Sequence, residues 1–209
     1  AMPVDFYYKA FHQPKNLWKL VQPFIRRISG LGKIDVTINP PRRYRHINLH
    51  TDVAVIGGGP SGMSAAIAAS KGGGQITLID DQDSLGGHLR LDSSTHNISS
   101  LGAKLTGKTI AHQLSEQVDQ HPNINVLTHA TAFGWYADNL LGILTPNRFI
   151  KLRAKHIIFA TGSNEVPHVF ENNDLPGIML SSGALRLLHL YGLLPGRRAV
   201  VVSGDDHGY

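Results

Sequence analysis

The sequence contains no cysteine among its 209 residues. This absence excludes an iron–sulfur cluster, a thiolate metal site, a redox disulfide and a cysteine nucleophile supplied by this chain. Long apolar runs are also lacking, because no run approaches the roughly 18 residues that a membrane-spanning helix needs. The 12 histidines are scattered without the spacing of a metal site, so we expect no metal site. No arrangement of residues indicates a catalytic acid–base pair or nucleophile either.

Positive charge is in modest excess and is unevenly placed. The chain has 20 Lys and Arg against 15 Asp and Glu, and its 42% hydrophobic content is ordinary for a globular protein. Much of the excess lies near the N-terminus, at Arg26, Arg27, Lys33, Arg42, Arg43 and Arg45. No nucleic-acid-binding motif accompanies these residues, so we expect no nucleic acid partner. Without a signal peptide, a cytoplasmic location is the default expectation.

An amphipathic helix is predicted within residues 5–29, where apolar side chains recur at helical spacing. Pro23 interrupts the pattern and predicts a kink or a restart. The basic and aromatic residues would also suit a membrane surface, but we favour an arm that packs against its own domain or a partner subunit. Pro40 and Pro41 mark residues 39–48 as a linker.

The strongest motif follows this linker. A short apolar run rich in β-branched residues, Val53 to Ile56, predicts a buried parallel strand. The next residues form the spacing G-x-G-x-x-G and open a small-residue helix: Gly57, Gly59, Pro60, Ser61 and Gly62. Such glycines permit a tight turn, close approach of a pyrophosphate and close helix–strand packing. The helix N-terminus would then attract the phosphates.

A second predicted strand, Gln75 to Ile79, leads to Asp80 and Asp81. Asp80 lies 18 residues after Gly62, close to the ~20-residue offset of an acid that binds the adenosine ribose hydroxyls. An acid at this position favours an unphosphorylated ribose, so the pattern predicts FAD, NAD or ATP rather than NADP. Two further small-residue segments would bring the backbone close to such a cofactor: Gly86-Gly87-His88 and Thr161-Gly162.

The remaining elements alternate between helix and strand. Residues 92–103 are serine-rich and are predicted to form a loop, and Leu105 to Gln120 a helix. Across about 124–154 we expect an antiparallel β-meander, inserted before a core strand at Lys155 to Ala160. A further helix is predicted at Ser182 to Tyr191, and an apolar strand at Ala199 to Ser203.

These elements predict an α/β fold, a Rossmann-like FAD/NAD(P)-binding domain with a central parallel sheet and the inserted meander. We divide the chain into an N-terminal arm and linker at 1–50 and a dinucleotide-binding domain at 51–165. Residues 166–209 would form a connection and the beginning of a second, truncated nucleotide-binding domain. A strand at 199–203 with no following βα unit cannot bury both faces, so we expect a fragment of a longer protein.

Four stretches carry a resemblance to the alpha subunit of heterotetrameric sarcosine oxidase and to related amino-acid and opine-type dehydrogenases and hydrogen cyanide synthases. They are FYYKAF at 6–11, FIRRISGLGKID at 24–35, the glycine motif at 53–62, and residues 156–209. The last stretch is the most specific, with ATG-x-x-E-x-P, F-x-NND-x-PGIML and YG-x-x-PGRR. The resemblance is to the N-terminal half of that subunit and covers nearly the whole chain, more loosely across 88–150.

The resemblance implies two nucleotide-binding domains and assembly with a flavin-bearing beta-type subunit that oxidises the N–C bond of a small secondary amine or amino acid. In the family, the alpha nucleotide site holds NAD, FAD or ATP, and several members hold FMN between subunits. By similarity, the nucleotide would be lined by Gly57, Gly59, Gly62, Asp80, Gly87 and Thr161-Gly162. The second site departs from the glycine spacing at Gly204 to Gly208, where Asp205 and Asp206 would oppose a pyrophosphate. NADH is therefore not expected to bind there in the usual way.

The sequence alone is compatible with three functions. The one we favour is an oxidoreductase component that holds FAD or NAD while flavin chemistry oxidises an amine. The alternative is a non-catalytic scaffold, in which ATP, ADP or another adenine nucleotide only stabilises the subunit. The third is a membrane-peripheral electron carrier that uses the helix at 15–29. For this chain alone we expect nucleotide binding and no turnover.

Overall fold

The computed structural model describes residues 17–28, 37, 44–98 and 103–204. Contacts divide the chain into two units, 1–43 and 44–209. In the first unit, helix α1 spans Leu17–Ile28 and continues through Pro23, whereas the sequence predicted a kink or restart. The apolar side chains on both sides of the proline keep the same helical phase, which favours one continuous helix. Nowhere in the described chain is a helix both long enough and apolar enough to cross a bilayer.

The second unit is built on a six-stranded mixed sheet. Its strands, named in chain order, are β1 (Arg45–Ile56), β2 (Ile76–Ile79), β5 (Ile124–Leu127), β6 (Thr131–Tyr136), β7 (Leu140–Leu144) and β8 (Arg148–Phe159). The spatial order is β5-β2-β1-β8-β7-β6. The first four strands of that order pair in parallel, and β8, β7 and β6 pair antiparallel. The predicted combination of a parallel sheet and an antiparallel meander is confirmed.

Two helices cover one face of the parallel half. Helix α2 spans Pro60–Ser70 and helix α3 spans Gly107–Asp119. The core on this face contains side chains from both helices and from the two central strands: Val55, Met63, Ala66, Leu78 and Val118. Burial of these apolar side chains, worth roughly 25 cal/mol per Å², holds the helices on the sheet.

The antiparallel half contributes to the core on the opposite face of the parallel half. One core cluster joins Ala54 and Ile79 of the parallel half to Leu141, Ile150 and Leu152 of the antiparallel half. In the middle of β1, the N–H groups of Asp52 and Val53 both donate to the Gln75 carbonyl, at 2.9 and 3.1 Å, while β1 and β8 keep one register on both sides of this point.

The residues of β1 that face the shared core change phase at Asp52. Ile47 and Leu49 pack on this core before Asp52, and Ala54 and Ile56 pack on it afterwards. The alternation of buried residues therefore shifts by one position in mid-strand, so a strict period of two cannot describe the strand.

Several predicted boundaries differ from the observed ones. Strand β1 begins at Arg45, inside the predicted linker, because it pairs along its whole length with β8. Strand β5 was placed in the meander, but Ile124–Leu127 pairs in parallel with β2, so the antiparallel strands begin at Thr131. Strand β8 begins at Arg148, earlier than the predicted core strand at Lys155 to Ala160, and it belongs to both halves of the sheet.

The predicted serine-rich loop is wrong for its described residues 95–98 and 103. Strands β3 (Thr95–Ile98) and β4 (Ala103–Thr106) form an antiparallel pair there. Asp92 anchors the entry to this hairpin, accepting hydrogen bonds from the Ser94 N–H at 2.7 Å and from His96 at 2.5 Å.

The C-terminal part of the described chain lies mostly outside the sheet. Helix α4 spans Ser181–Tyr191 and contains no fully buried residue. The strand predicted at Ala199 to Ser203 is not observed, because this segment pairs with no strand of the described chain and Val200 is 94% exposed. The acidic residues predicted at a second site, Asp205 and Asp206, lie outside the described residues.

Candidate functional site

The site begins where β1 ends in the glycine turn. Gly57 has φ +107°, a conformation that side chains rarely adopt, and an added Cβ would overlap the Ala160 carbonyl oxygen. The Gly57 N–H donates to the Ile79 carbonyl at 2.8 Å, which ties the turn to β2. Gly62 packs against the Gly57 carbonyl so closely that no side chain would fit. These two glycines therefore bring α2 directly onto the end of β1.

Gly59 differs from its neighbours because it faces open space. The nearest atom to a Cβ built there would be the Gly87 Cα, at 4.0 Å. Gly59 is the N-cap of α2, Pro60 is its first residue, and no side chain caps the helix. The first-turn N–H groups of a helix, here those of Ser61 and Gly62, have no intrahelical acceptor. This end of α2 combines N–H groups that lack an intrahelical acceptor with a positive dipole, which suits a phosphate.

Asp80 stands beside the glycine turn and is buried, with 9% of its surface exposed. Its Oδ2 accepts a hydrogen bond from the Gly58 N–H at 2.5 Å, and its Oδ1 accepts one from the Gln82 N–H at 2.8 Å. A carboxylate offers about four acceptor positions, so Asp80 retains capacity for two ribose hydroxyls. The carboxylate thus organises the turn and can still receive a ligand.

Gly58 was missed by the sequence analysis. A side chain at this position would collide with Leu85 and approach the Asp80 carboxylate. The sequence has three consecutive glycines at 57–59, but the G-x-G-x-x-G motif assigns a role only to the first and the third of them.

The predicted Gly86-Gly87 pair packs against this turn. The Gly86 N–H donates to the Gly58 carbonyl at 2.8 Å, and a Cβ on Gly87 would lie 2.9 Å from the Gly59 Cα. His88 follows in the short 3₁₀ helix Gly87–Leu91 and is exposed. The structure therefore brings the glycine turn, Asp80 and the Gly-Gly pair together.

Asp81 lies next to Asp80 but is exposed. Its Oδ1 accepts a hydrogen bond from the Gln82 side chain at 2.7 Å. The loop beyond is closed by Arg90, which pairs with Asp83 at 2.9 Å. The Ser84 hydroxyl and the Arg90 guanidinium hold the pKa of the Asp83 carboxyl below its usual value. Two carboxylates at 80 and 81 would repel a phosphate on the adenosine ribose.

Thr161 and Gly162 follow β8 at the same edge of the sheet. The Ala160 N–H donates to the Ile56 carbonyl at 2.8 Å, which places this segment next to the glycine turn. Gly162 has φ +73°, and no atom lies within 4 Å of a Cβ built there. Both residues are exposed. The segment thus offers accessible backbone beside the glycine turn.

The geometry suits an adenine dinucleotide. Open space lies in front of Gly59 and Gly162, a helix N-terminus points toward it, and a buried carboxylate keeps spare acceptor positions. No group of three or more His, Asp or Glu side chains that could hold a metal ion occurs within the described residues. Fold and site together define a dinucleotide-binding domain of the Rossmann type.

The family follows from comparison with known proteins. The family model described as pyridine nucleotide-disulphide oxidoreductase matches residues 51–202, and the chain belongs to this family. The disulphide in that description cannot come from this chain, which has no cysteine.

Individual relatives confirm the resemblance to sarcosine oxidase. The chain is 36% identical to sarcosine oxidase subunit alpha of Rhizobium meliloti (strain 1021), over 98% of this chain and 22% of the relative. It is 32% identical to the subunit of that name from Corynebacterium sp. (strain P-1), over 87% of this chain and 20% of the relative. The chain therefore spans about a fifth of the length of these relatives.

A solved structure shows the same fold. The crystal structure of L-proline dehydrogenase from P. horikoshii aligns with a TM-score of 0.64 and 26% identity. The alignment covers 74% of this chain and 31% of that chain.

Proposed function

We propose that this chain is the nucleotide-holding part of a flavin-dependent oxidoreductase subunit. It would bind FAD or NAD at Gly57, Gly59, Pro60, Ser61, Gly62, Asp80, Asp81, Gly86, Gly87, His88, Thr161 and Gly162. The parent complex would oxidise the N–C bond of a secondary amine or amino acid. The supporting relatives are named for sarcosine and L-proline, and both compounds carry a secondary amine next to a carboxylate.

One observation carries the nucleotide assignment. The Asp80 carboxylate is buried, accepts from the Gly58 and Gln82 N–H groups, and lies between the glycine turn and the Gly86-Gly87 pair. A buried carboxylate is costly unless it is well hydrogen-bonded. Here the hydrogen bonds preorganise it beside a helix N-terminus, so one ligand could meet both a phosphate site and a ribose acceptor.

In this proposal, the described residues bind and orient the cofactor and take no direct part in the oxidation. The helix N-terminus at Gly59 would hold the pyrophosphate, Asp80 the ribose hydroxyls, and the backbone of Gly87 and Gly162 would pass close to the cofactor. When bound, a flavin supplies the electron-transfer chemistry itself. This division of roles fits a chain in which no acid–base pair or nucleophile was predicted.

The first experiment identifies the bound nucleotide. The purified chain is examined by visible spectroscopy, then denatured, and the released nucleotide is identified by mass spectrometry. Flavin absorbance with release of FAD would support a redox site at 57–88. A colourless protein that releases NAD would keep the dinucleotide site but place the flavin in a partner. Release of ATP or ADP would instead favour the structural scaffold, which family membership does not support.

A second experiment addresses the complex. We propose a flavin-bearing beta-type partner subunit because the relatives are named as alpha subunits. FMN at the subunit interface is part of this proposal and rests on the family resemblance alone. The complex purified with its native partners should show anaerobic bleaching of its flavin by sarcosine or L-proline. The isolated chain should show none. Bleaching in the isolated chain would contradict the proposal that amine oxidation requires the partner subunit.

A further inference from the structure

Glu165 forms hydrogen bonds with the start of α4, 16 residues further along the chain. One of its carboxylate oxygens accepts a hydrogen bond from the Ser181 hydroxyl, and the other accepts one from the Ser182 N–H at 2.9 Å. Both donors lie in the first turn of α4. Leu180 precedes the helix and provides no capping side chain. Glu165 therefore caps α4 from a distance, with its negative charge at the positive end of the helix dipole.

The capped helix packs against the 3₁₀ helix Gly87–Leu91. Two side-chain contacts flank this packing. The Arg186 guanidinium donates to the Gln82 side-chain oxygen at 3.2 Å, and His189 Nδ1 lies 3.3 Å from the Ser93 hydroxyl. Gln82 and Ser93 stand on either side of the Gly86-Gly87-His88 segment in the chain, so α4 holds both ends of a predicted nucleotide-binding segment.

Electrostatics link Glu165 to the same segment. The Ser181 and Ser182 hydrogen bonds lower the pKa of the Glu165 carboxyl, and the nearby His88 lowers it further. Glu165 also follows Gly162 by three residues. A single carboxylate thus stands between the Thr161-Gly162 segment, His88 and the start of α4.

Apolar burial contributes little to the placement of α4. The helix has no fully buried residue, and Leu185 and Leu188 are each 42% exposed. Residues 161–180, which lead to it, are exposed throughout. Polar contacts therefore carry a large share of the docking: Arg186 and His189 contact the segments around Gly87–Leu91, and Glu165 ties the first turn of α4 to the connecting segment.

We infer that Glu165 is a positioning residue: it ties the start of α4 to the segment that follows Gly162, keeps α4 packed on Gly87–Leu91, and thereby holds the Gly86-Gly87 and Thr161-Gly162 segments in the arrangement that accepts the nucleotide. This inference rests on the proposed nucleotide site and adds the element that closes it. The role requires no contact between Glu165 and the cofactor.

The test compares Glu165→Ala and Glu165→Gln with Glu171→Ala and Glu171→Gln as matched controls. Glu171 is an exposed glutamate in the same connecting segment. Backbone amide hydrogen exchange in α4 and the dissociation constant of the nucleotide released by the wild-type chain are measured for each variant. The Glu165→Ala variant should exchange faster in α4 by about fivefold, the effect of losing a helix cap, and should bind nucleotide several-fold more weakly. The Glu165→Gln variant should fall between, because its amide oxygen can still accept one hydrogen bond.

The measurements distinguish the docking role, the positioning role and the proposed nucleotide site from one another. Exchange in the sheet strands should stay at the wild-type level, which shows that the variants fold. Unchanged α4 exchange in Glu165→Ala would overturn the docking role, and faster exchange with unchanged nucleotide affinity would overturn the positioning role. If the wild-type chain binds no nucleotide, the proposed function fails, while the exchange data still decide whether Glu165 docks α4.

Discussion

At the residue scale, the glycine turn depends on the absence of side chains. Gly57 combines φ +107° with an overlap against the Ala160 carbonyl, whereas Gly73 has φ +78° and nothing within 4 Å of an added Cβ. A non-glycine residue in such a conformation costs about 1–3 kcal/mol. We expect Gly73→Ala to lose only that amount and Gly57→Ala to lose clearly more, together with nucleotide binding. Denaturant unfolding of both variants measures the difference, and equal losses would show that the overlap relaxes at no cost.

Asp80 has two tasks at the same scale, since it receives the turn N–H groups and would receive the ribose. Asp80→Asn keeps one carbonyl oxygen but removes the charge and one acceptor. We expect the variant to bind nucleotide about tenfold more weakly, because a hydrogen bond to a charged group contributes ~1.5–3 kcal/mol. Equilibrium titration provides the measurement, and Asp119→Asn, an exposed position at the end of α3, provides the control. Unchanged affinity would remove Asp80 from the ribose site.

At the element scale, helix α4 depends on an ionised Glu165. The Ser181 and Ser182 hydrogen bonds lower the pKa of this carboxyl from its ordinary value of 4.5. A group whose pKa is depressed by folding stabilises fully above its unfolded pKa, and the stabilisation is lost as the pH falls through the folded pKa. The ratio of α4 exchange rates between Glu165→Gln and wild type should therefore be constant above about pH 5 and decline toward one below about pH 4.5. A ratio that stays constant to strongly acidic pH would contradict the role of the charge.

The same scale shows what sequence reasoning could and could not predict. The glycine turn and Asp80 could be predicted because each requires a particular residue type at a known spacing, and the Gly-Gly pair because it follows the acidic strand end closely. The change of phase at Asp52 was not predicted, because the hydrogen bond from Asp52 to the Gln75 carbonyl links residues 23 positions apart and has no local signature. Glu165 was quoted within a family motif but given no role, since its partners at Ser181 and Ser182 are known only once the chain has folded.

At the scale of the whole molecule, the site residues all belong to one of the two units. Every residue proposed to hold the nucleotide lies between Gly57 and Gly162, within the unit that starts at Tyr44. Strand β1 of this unit begins at Arg45 and supplies Ile47 and Leu49 to the core shared by both halves of the sheet. The boundary that matters for folding is therefore the start of β1, six residues earlier than the predicted domain boundary at Thr51.

This boundary leads to a paired truncation test. A chain that starts at Tyr44 keeps β1 whole. Its unfolding midpoint and the amount of nucleotide bound per chain should therefore equal those of the full chain. A chain that starts at Thr51 loses Ile47 and Leu49, two partly buried side chains packed against the shared core. Full burial of such a side chain contributes roughly 1.5–3 kcal/mol, so each loss should cost less than that. This shorter chain should unfold at a lower denaturant concentration and release less nucleotide. Loss of nucleotide from the Tyr44 chain would instead mean that residues 1–43 contribute to the site. Equal behaviour of the two truncated chains would mean that the first half of β1 adds nothing to the stability of this unit.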